Sequence, residues 1–402
     1  MSETEPVNED PLGAPAPHSR IQLHFFDTEE EQDLRAKWNR LAIHAEKPAI
    51  AEVPDGLIPQ YSRALMAESM DLNCVFDAEN RPVASSARVR GYDEPDETSE
   101  PINLDGAARD GRAAYLLGVN ARHYGHFLLE TLSRAWAWSD SRHQVAIILS
   151  PPILEFARSL CSFVPGLAGH MEVIERTTRF RHVTVASPAF SISRKAYLEF
   201  KRLCEEIAER ALPRRSKVAE RPVYLSRAGL KPNSNRSLVG EVRLEKLLER
   251  EGFLIVHPEA LPIAKQIALV NKHKWIVAPM GSACHTRLFS RTENNLLMLT
   301  SGHVNRNYVL CDLLNKGATH YAQVFRSPIA DDRMPFSMKP LILDDDRLLR
   351  LLKEFGLVRA SAQLDYRPAE RESEVARSIE HAKRRAEQWE KRMERGAKRP
   401  NL

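Results

Sequence analysis

The sequence predicts an α/β protein of two parallel-sheet units facing a cleft, followed by a charged C-terminal helix. Three observations predict it. From Ala113 to about Phe325, short apolar strands alternate with amphipathic helical stretches, and repeated βα units favour parallel sheets covered by helices. A charged helical stretch, Arg194–Leu212, and a basic connector, Pro213–Lys217, split this alternation into two blocks. At 402 residues the chain is also long for one core, since a domain commonly takes ~150 residues.

The leader, residues 1–20, is acidic, polar and proline-rich, without the basic start and apolar run of a secretory signal. From Ile21 to about Glu100, apolar runs such as IQLHFF mix with polar ones such as YDEPDETSEP, and an irregular region is expected. Strands are then expected at Ala114–Leu117, Val145–Leu149, Met171–Ile174 and Val183–Ser187. In the second block they fall at Val223–Leu225, Leu254–His257, Trp275–Ala278, Leu296–Leu299 and Gln323–Phe325. Helices fit Leu238–Arg250, Leu261–Asn271, Cys284–Ser290 and Val304–Leu314. The expected units are therefore a leader (1–20), an N-terminal domain (21–212), a second domain (213–340) and a helical tail (341–402). Each domain reads as Rossmann-like, with ligands expected at the carboxyl ends of the strands.

Within the tail, Val375, Ile379, Ala382, Ala386, Trp389 and Met393 recur at alternating spacings of four and three, a narrow apolar seam on a charged helix. That seam fits docking on the body, self-association or contact with a membrane surface.

Composition sets limits. The net charge of +4 is small for this length and gives no reason to expect nucleic acid as a partner. The cysteines (Cys74, Cys161, Cys204, Cys284 and Cys311) are scattered and form no CxxC pair, so free thiols of a reducing cytosol are expected. No apolar run reaches the ~20 residues of a membrane span, which points to a cytoplasmic protein, at most peripheral to the inner face of a membrane.

Two segments carry chemistry. In Tyr124–Trp138, a continuous helix would place His126, Glu130 and Arg134 on one face, with Leu128, Leu129, Leu132 and Trp136 left for the core. The polar stripe fits a buried ion-pair chain. It also fits a general base, Glu130 or His126, that takes a proton from an attacking hydroxyl, with Arg134 tuning the carboxylate or holding an anion. No further ligands suggest a metal.

In the second segment, the strand end PVYLSR and its loop carry Arg227, Lys231 and Arg236, placed to neutralise phosphate. Further on, KWIVAPMGSACHTRLF reads as a buried strand, a turn at Gly281 and Ser282, and a helix start that can approach a phosphate. His285 and His303 read as structural or rim residues.

Together the segments resemble glycosyltransferase family 61, which includes bacterial capsular-polysaccharide transferases and eukaryotic xylan and protein O-linked transferases. Its first motif is matched by Tyr124, His126, Phe127, Leu128, Leu129 and Glu130, with Leu132 and Arg134 following. Its second is matched by Tyr224, Ser226, Arg227 and Arg236, and its third by Gly252, Phe253, Pro258, Glu259, Gln266 and residues 278–286.

The resemblance implies a GT-B-like fold, an acceptor-side N-terminal domain and a nucleotide-sugar-binding C-terminal domain. It also implies inversion at the anomeric carbon, no metal and no cofactor. A UDP-sugar is the default donor and a glycan or lipid-linked molecule the acceptor, in surface or capsular polysaccharide assembly. Glu130 is implied as the base or, with His126, its close partner. Arg227, Arg236, Gly281, Ser282 and Glu259 are implied at the donor diphosphate and nucleotide, with Arg134, Tyr124 and Gln266 in support. The chain departs from the family's His-Gly-Ala-Gly turn, reading Met280-Gly281-Ser282-Ala283. This departure motivates the alternative of an inactive member serving as a scaffold.

Overall fold

The computed structural model describes residues 20–60, 75–86, 106–119, 122–149, 151–214, 217–230, 238–329, 334, 339–365 and 367–397. The expected leader, Cys74, the YDEPDETSEP run, Lys231 and Arg236 lie outside the described residues, as does the side chain of Met393.

Two principal sheets organise the molecule. One has six strands in the order Ile21–His24, Thr319–Gln323, Asn295–Thr300, Trp275–Pro279, Val223–Leu225, Leu254–Val256, all paired in parallel. The other is mixed, with the long Ala108–Gly118 strand between Thr178–Ala186 and Val145–Ile148, both parallel to it. Its antiparallel partners, Ile50–Pro54 and Leu57–Ile58, come from the region expected to be irregular.

Strict alternation decides which residue faces which layer. Along Trp275–Pro279, Ile276 and Ala278 point into one core and Val277 into another. Leu296 and Met298 are likewise split from Leu297 and Leu299. In the mixed sheet, Tyr115 and Leu117 join the same core as Ile276, while Ala114 and Leu116 face a third. With its period of two, each strand thus gives one face to a central layer that both sheets share and the other to a layer of its own. The central layer also buries Leu128 and Leu132 of the first chemical segment and Leu288 and Phe289 of the second.

Most of the expected strands and helices are present with shifted ends, but Leu238–Val239 and Lys195–Tyr197, expected to be helical, are short strands, and Cys284–Ser290 falls in a 3-10 helix; three further differences matter more. The last strand of the six-stranded sheet starts at Thr319 rather than at Gln323. The expected irregular region opens with a strand, Ile21–His24, that crosses to the edge of the six-stranded sheet, beside Thr319–Gln323. That pairing was hidden because a four-residue strand, Ile21–His24, carries too little pattern to declare a partner ~300 residues away. Finally, Tyr124–Trp138 is not one helix, as described below.

The Pro368–Ala397 helix docks through its first turns. Arg371 donates to the Leu343 carbonyl (2.9 Å) and pairs with Asp345 (3.3 Å), and Glu374 accepts from the Gly240 amide (3.1 Å). Along the seam Ala382 is buried and Trp389 is 39% exposed. Among the described residues no helix is long and apolar enough to cross a membrane.

Candidate functional site

The first segment changes helix type twice. Tyr124–His126 is α-helical, Phe127–Thr131 forms a π turn, and Leu132–Ala137 tightens to 3-10. Burial of Phe127, Leu128, Leu129 and Leu132 in the central layer fixes the segment, and the π turn is a local widening of the kind found at functional sites. The expected continuous stripe is therefore broken. His126 and Glu130 still meet, with Nδ1 2.8 Å from Oε2, though off the line of a ring N–H hydrogen bond. The carboxylate is 10% exposed and the imidazole 42%, so Glu130 lies at the base and His126 at the lip.

Arg134 turns elsewhere. It is buried and donates to the carbonyls of Ser85 (3.0 Å), Ala186 (2.7 Å) and Ser86 (3.3 Å), tying the 3-10 turn to the mixed sheet. Its own carbonyl accepts from the Tyr115 hydroxyl. Trp136 is half-buried, and its indole donates to the Ser187 carbonyl at 2.9 Å.

The second segment comes up against the first. After the Trp275–Pro279 strand, Met280 is buried and Gly281 leads into a 3-10 helix, Ser282–Phe289. Tyr124 and Thr286 share a hydrogen bond of 3.0 Å between their hydroxyls. A Cβ on Gly125 would fall 2.9 Å from His285 Cδ2 and 3.1 Å from Ser282 Cβ, so only glycine permits this approach. The 3-10 helix is held from below by Arg287, 2% exposed, which pairs with Asp312 (3.0 Å) and donates to Asn294 and Thr319. At its far end Lys201 Nζ donates to the carbonyls of Leu288 (2.8 Å) and Ser290 (2.6 Å).

Arg227 reaches the same turn from the neighbouring strand. Its Nη1 donates to the Met280 carbonyl at 3.1 Å, and a Cβ on Gly281 would sit 3.4 Å from that nitrogen. Gly281 is extended (φ −173°), so it makes room for the guanidinium rather than supplying an unusual backbone shape. Arg227, Pro279, Met280, Thr300, Ser301 and Phe325 line a cavity beyond the carboxyl ends of two adjacent parallel strands. A wider hollow, lined by Arg326, Asp345, Leu364 and Arg371, shares no residue with either segment.

Glu259 approaches the Arg227 loop from beneath. A Cβ on Gly229 would fall 2.5 Å from its Oε1. Gln266 donates to the carbonyls of Pro258 (2.9 Å) and Leu261 (3.0 Å), which shapes the turn carrying Glu259.

Three groups that sequence reasoning left aside or read as structural join the site. His123 stands 5.4 Å from His126, ring to ring, and burial, with His126 and Arg227 nearby, holds its pKa below the usual 6.5. His285 is buried under Gly125, stacks on Tyr308 at 4.5 Å and lies 3.5 Å from Cys311 Sγ. Burial first, then the neighbouring His123 and His126, lowers its pKa to about 3, so it is neutral at physiological pH. Glu241, buried at the start of the Glu241–Arg250 helix, accepts from the Arg227 amide. A glutamate in the first turn of a helix is an ordinary placement and gave no hint of that partner, and His123 precedes the helical segment. Among the described residues no three His, Cys, Asp or Glu side chains gather as metal ligands would.

Residues 124–297 match the family model described as Glycosyltransferase 61. The matched stretch begins at Tyr124 and includes both chemical segments. No curated protein matches the chain.

Proposed function

We propose that the chain is a glycosyltransferase of family 61, whose model matches residues 124–297, and that it transfers a sugar with inversion from a nucleotide-sugar donor to a glycan or lipid-linked hydroxyl, without a metal. One observation carries this reading. The His126–Glu130 pair and the Arg227–Gly281 turn belong to segments that touch through Tyr124–Thr286 and Gly125–His285. In this reading a proton acceptor and a cationic anchor flank one site.

In the proposed reaction the acceptor oxygen attacks the anomeric carbon from the face opposite the leaving group. Its proton passes to the Glu130 carboxylate, which His126 orients. The bond from the anomeric carbon to the diphosphate oxygen breaks, and its electron pair leaves with the diphosphate. Arg227, Arg236 and the amides opening the Ser282–Phe289 helix balance that charge. The six-stranded parallel sheet then serves the donor and the mixed sheet the acceptor, a GT-B-like division of labour. UDP is the default nucleotide, and the setting is surface or capsular polysaccharide assembly on the cytoplasmic side of a membrane. A second reading, an inactive scaffold, draws support from the buried Met280 that stands where the family carries histidine.

The experiment is thermal unfolding with a panel of nucleoside diphosphates, each with and without magnesium, followed by transfer assays. A ligand at ~100 times its Kd adds ~2.7 kcal/mol. The expected result is a shift of several degrees with one diphosphate, insensitive to magnesium and lost in Arg227→Ala. Glu130→Gln should keep the shift and lose at least about a hundredfold in transfer rate. No shift with any nucleotide would replace the transferase reading with the scaffold.

A further inference from the structure

Building on the donor-site reading, we propose that Glu241 is the positioning residue for Arg227: a buried carboxylate that touches no ligand yet sets how tightly the site holds a diphosphate. Three donors converge on its Oε1. The Arg227 amide lies at 2.8 Å, the Tyr224 hydroxyl at 3.0 Å and the Ser226 hydroxyl at 3.4 Å. Ser226 Oγ in turn accepts from the Ala228 amide at 2.9 Å, so one oxygen organises the whole strand end from Tyr224 to Ala228.

Glu241 is placed by its own element. It opens the Glu241–Arg250 helix, where a carboxylate meets unpaired amides and the positive end of the helix dipole. Gly240 before it has φ +96°, a left-handed shape that turns the chain from the Leu238–Val239 strand into the helix. Glu241 is 5% exposed. Burial raises its pKa, while the Arg227 amide, the Tyr224 hydroxyl and the Arg227 charge lower it.

The consequence lies in Arg227. Its amide is tied to Glu241 and its Nη1 to the Met280 carbonyl, so backbone and guanidinium are both fixed before a ligand arrives. A cation held in place pays less ordering entropy on binding a phosphate than one on a loose loop. Replacing the carboxylate with an amide would keep one acceptor oxygen but remove the charge that strengthens its hydrogen bonds to the three donors, and so loosen the strand end.

The test compares wild type, Glu241→Gln, Arg227→Ala and the double variant, using calorimetric titration with inorganic pyrophosphate and the nucleoside diphosphate, and amide exchange over residues 223–228. Glu241→Gln should weaken binding about tenfold, add little in the Arg227→Ala background, and speed exchange of the strand-end amides. Tyr224→Phe, which keeps the carboxylate, should show the same pattern with a smaller loss. Wild-type affinity in Glu241→Gln, or an equal loss with and without Arg227, would overturn the proposal. If wild type binds neither pyrophosphate nor nucleotide, the donor-site reading fails; unchanged exchange in Glu241→Gln would then overturn the positioning role separately.

Discussion

Glu130 and His126 meet at the π turn, a nearly buried carboxylate against a more exposed imidazole. At 2.8 Å the imidazole lies against the carboxylate, while Leu128, Leu129 and Leu132 of the same segment are buried in the central layer. His285 beneath them makes a testable counterpart. Its folded pKa of about 3 lies below the ordinary 6.5, so the unfolded chain binds its proton more readily. Stability contributed by the neutral ring is therefore complete above about 6.5 and falls as the pH drops towards about 3. The slope from this ring is at most ~1.4 kcal/mol per pH unit. Urea unfolding at about pH 7.5 and pH 5 should show a steeper acid loss in wild type than in His285→Asn. Equal slopes would mean that the ring is not held neutral by the fold.

At the scale of elements, the unusual piece is the α–π–3-10 run from Tyr124 to Ala137. A regular helix would have kept Arg134 in register with Glu130; the wider turn sends it to carbonyls of the mixed sheet. The C-terminal helix makes a second case. Its anchoring turn sets Arg371 beside Asp345, which also faces Arg243 at 3.5 Å. Removing one of two cations from a nearly buried carboxylate leaves its charge only partly compensated, by Arg243, so Arg371→Ala should lower stability by about 1–2 kcal/mol, read as a lower urea midpoint. An unchanged midpoint would reduce this anchor to a surface contact. The charged helix beyond it, with Trp389 exposed, is the place to look for self-association or a membrane contact.

At the scale of the molecule, the shared central layer couples the sheets. Tyr115 and Leu117 of one and Ile276 and Met298 of the other lie in one continuous core, together with both chemical segments. A core of this kind predicts that the described body unfolds as one cooperative unit. Calorimetry should give a single transition whose van't Hoff and calorimetric enthalpies agree. Two resolved transitions would mean that the sheets hold together independently and that the site sits on a separable joint.

Periodicity and motif spacing determined much of this from the chain alone. The parallel strands around Val223, Trp275 and Leu296 were legible because buried strands write continuous apolar runs between turn residues. The two chemical segments were legible because histidine, glutamate and arginine stood out against apolar neighbours. Tertiary structure alone decided three things. It paired Ile21–His24 with Thr319–Gln323, since sheet partners are chosen by packing and leave no local mark. It turned Arg134 away from Glu130, because a π turn depends on which leucines find room in the core. It also brought Glu241 to Arg227 and His285 under Gly125, for a buried polar group takes whichever partner the fold brings within reach.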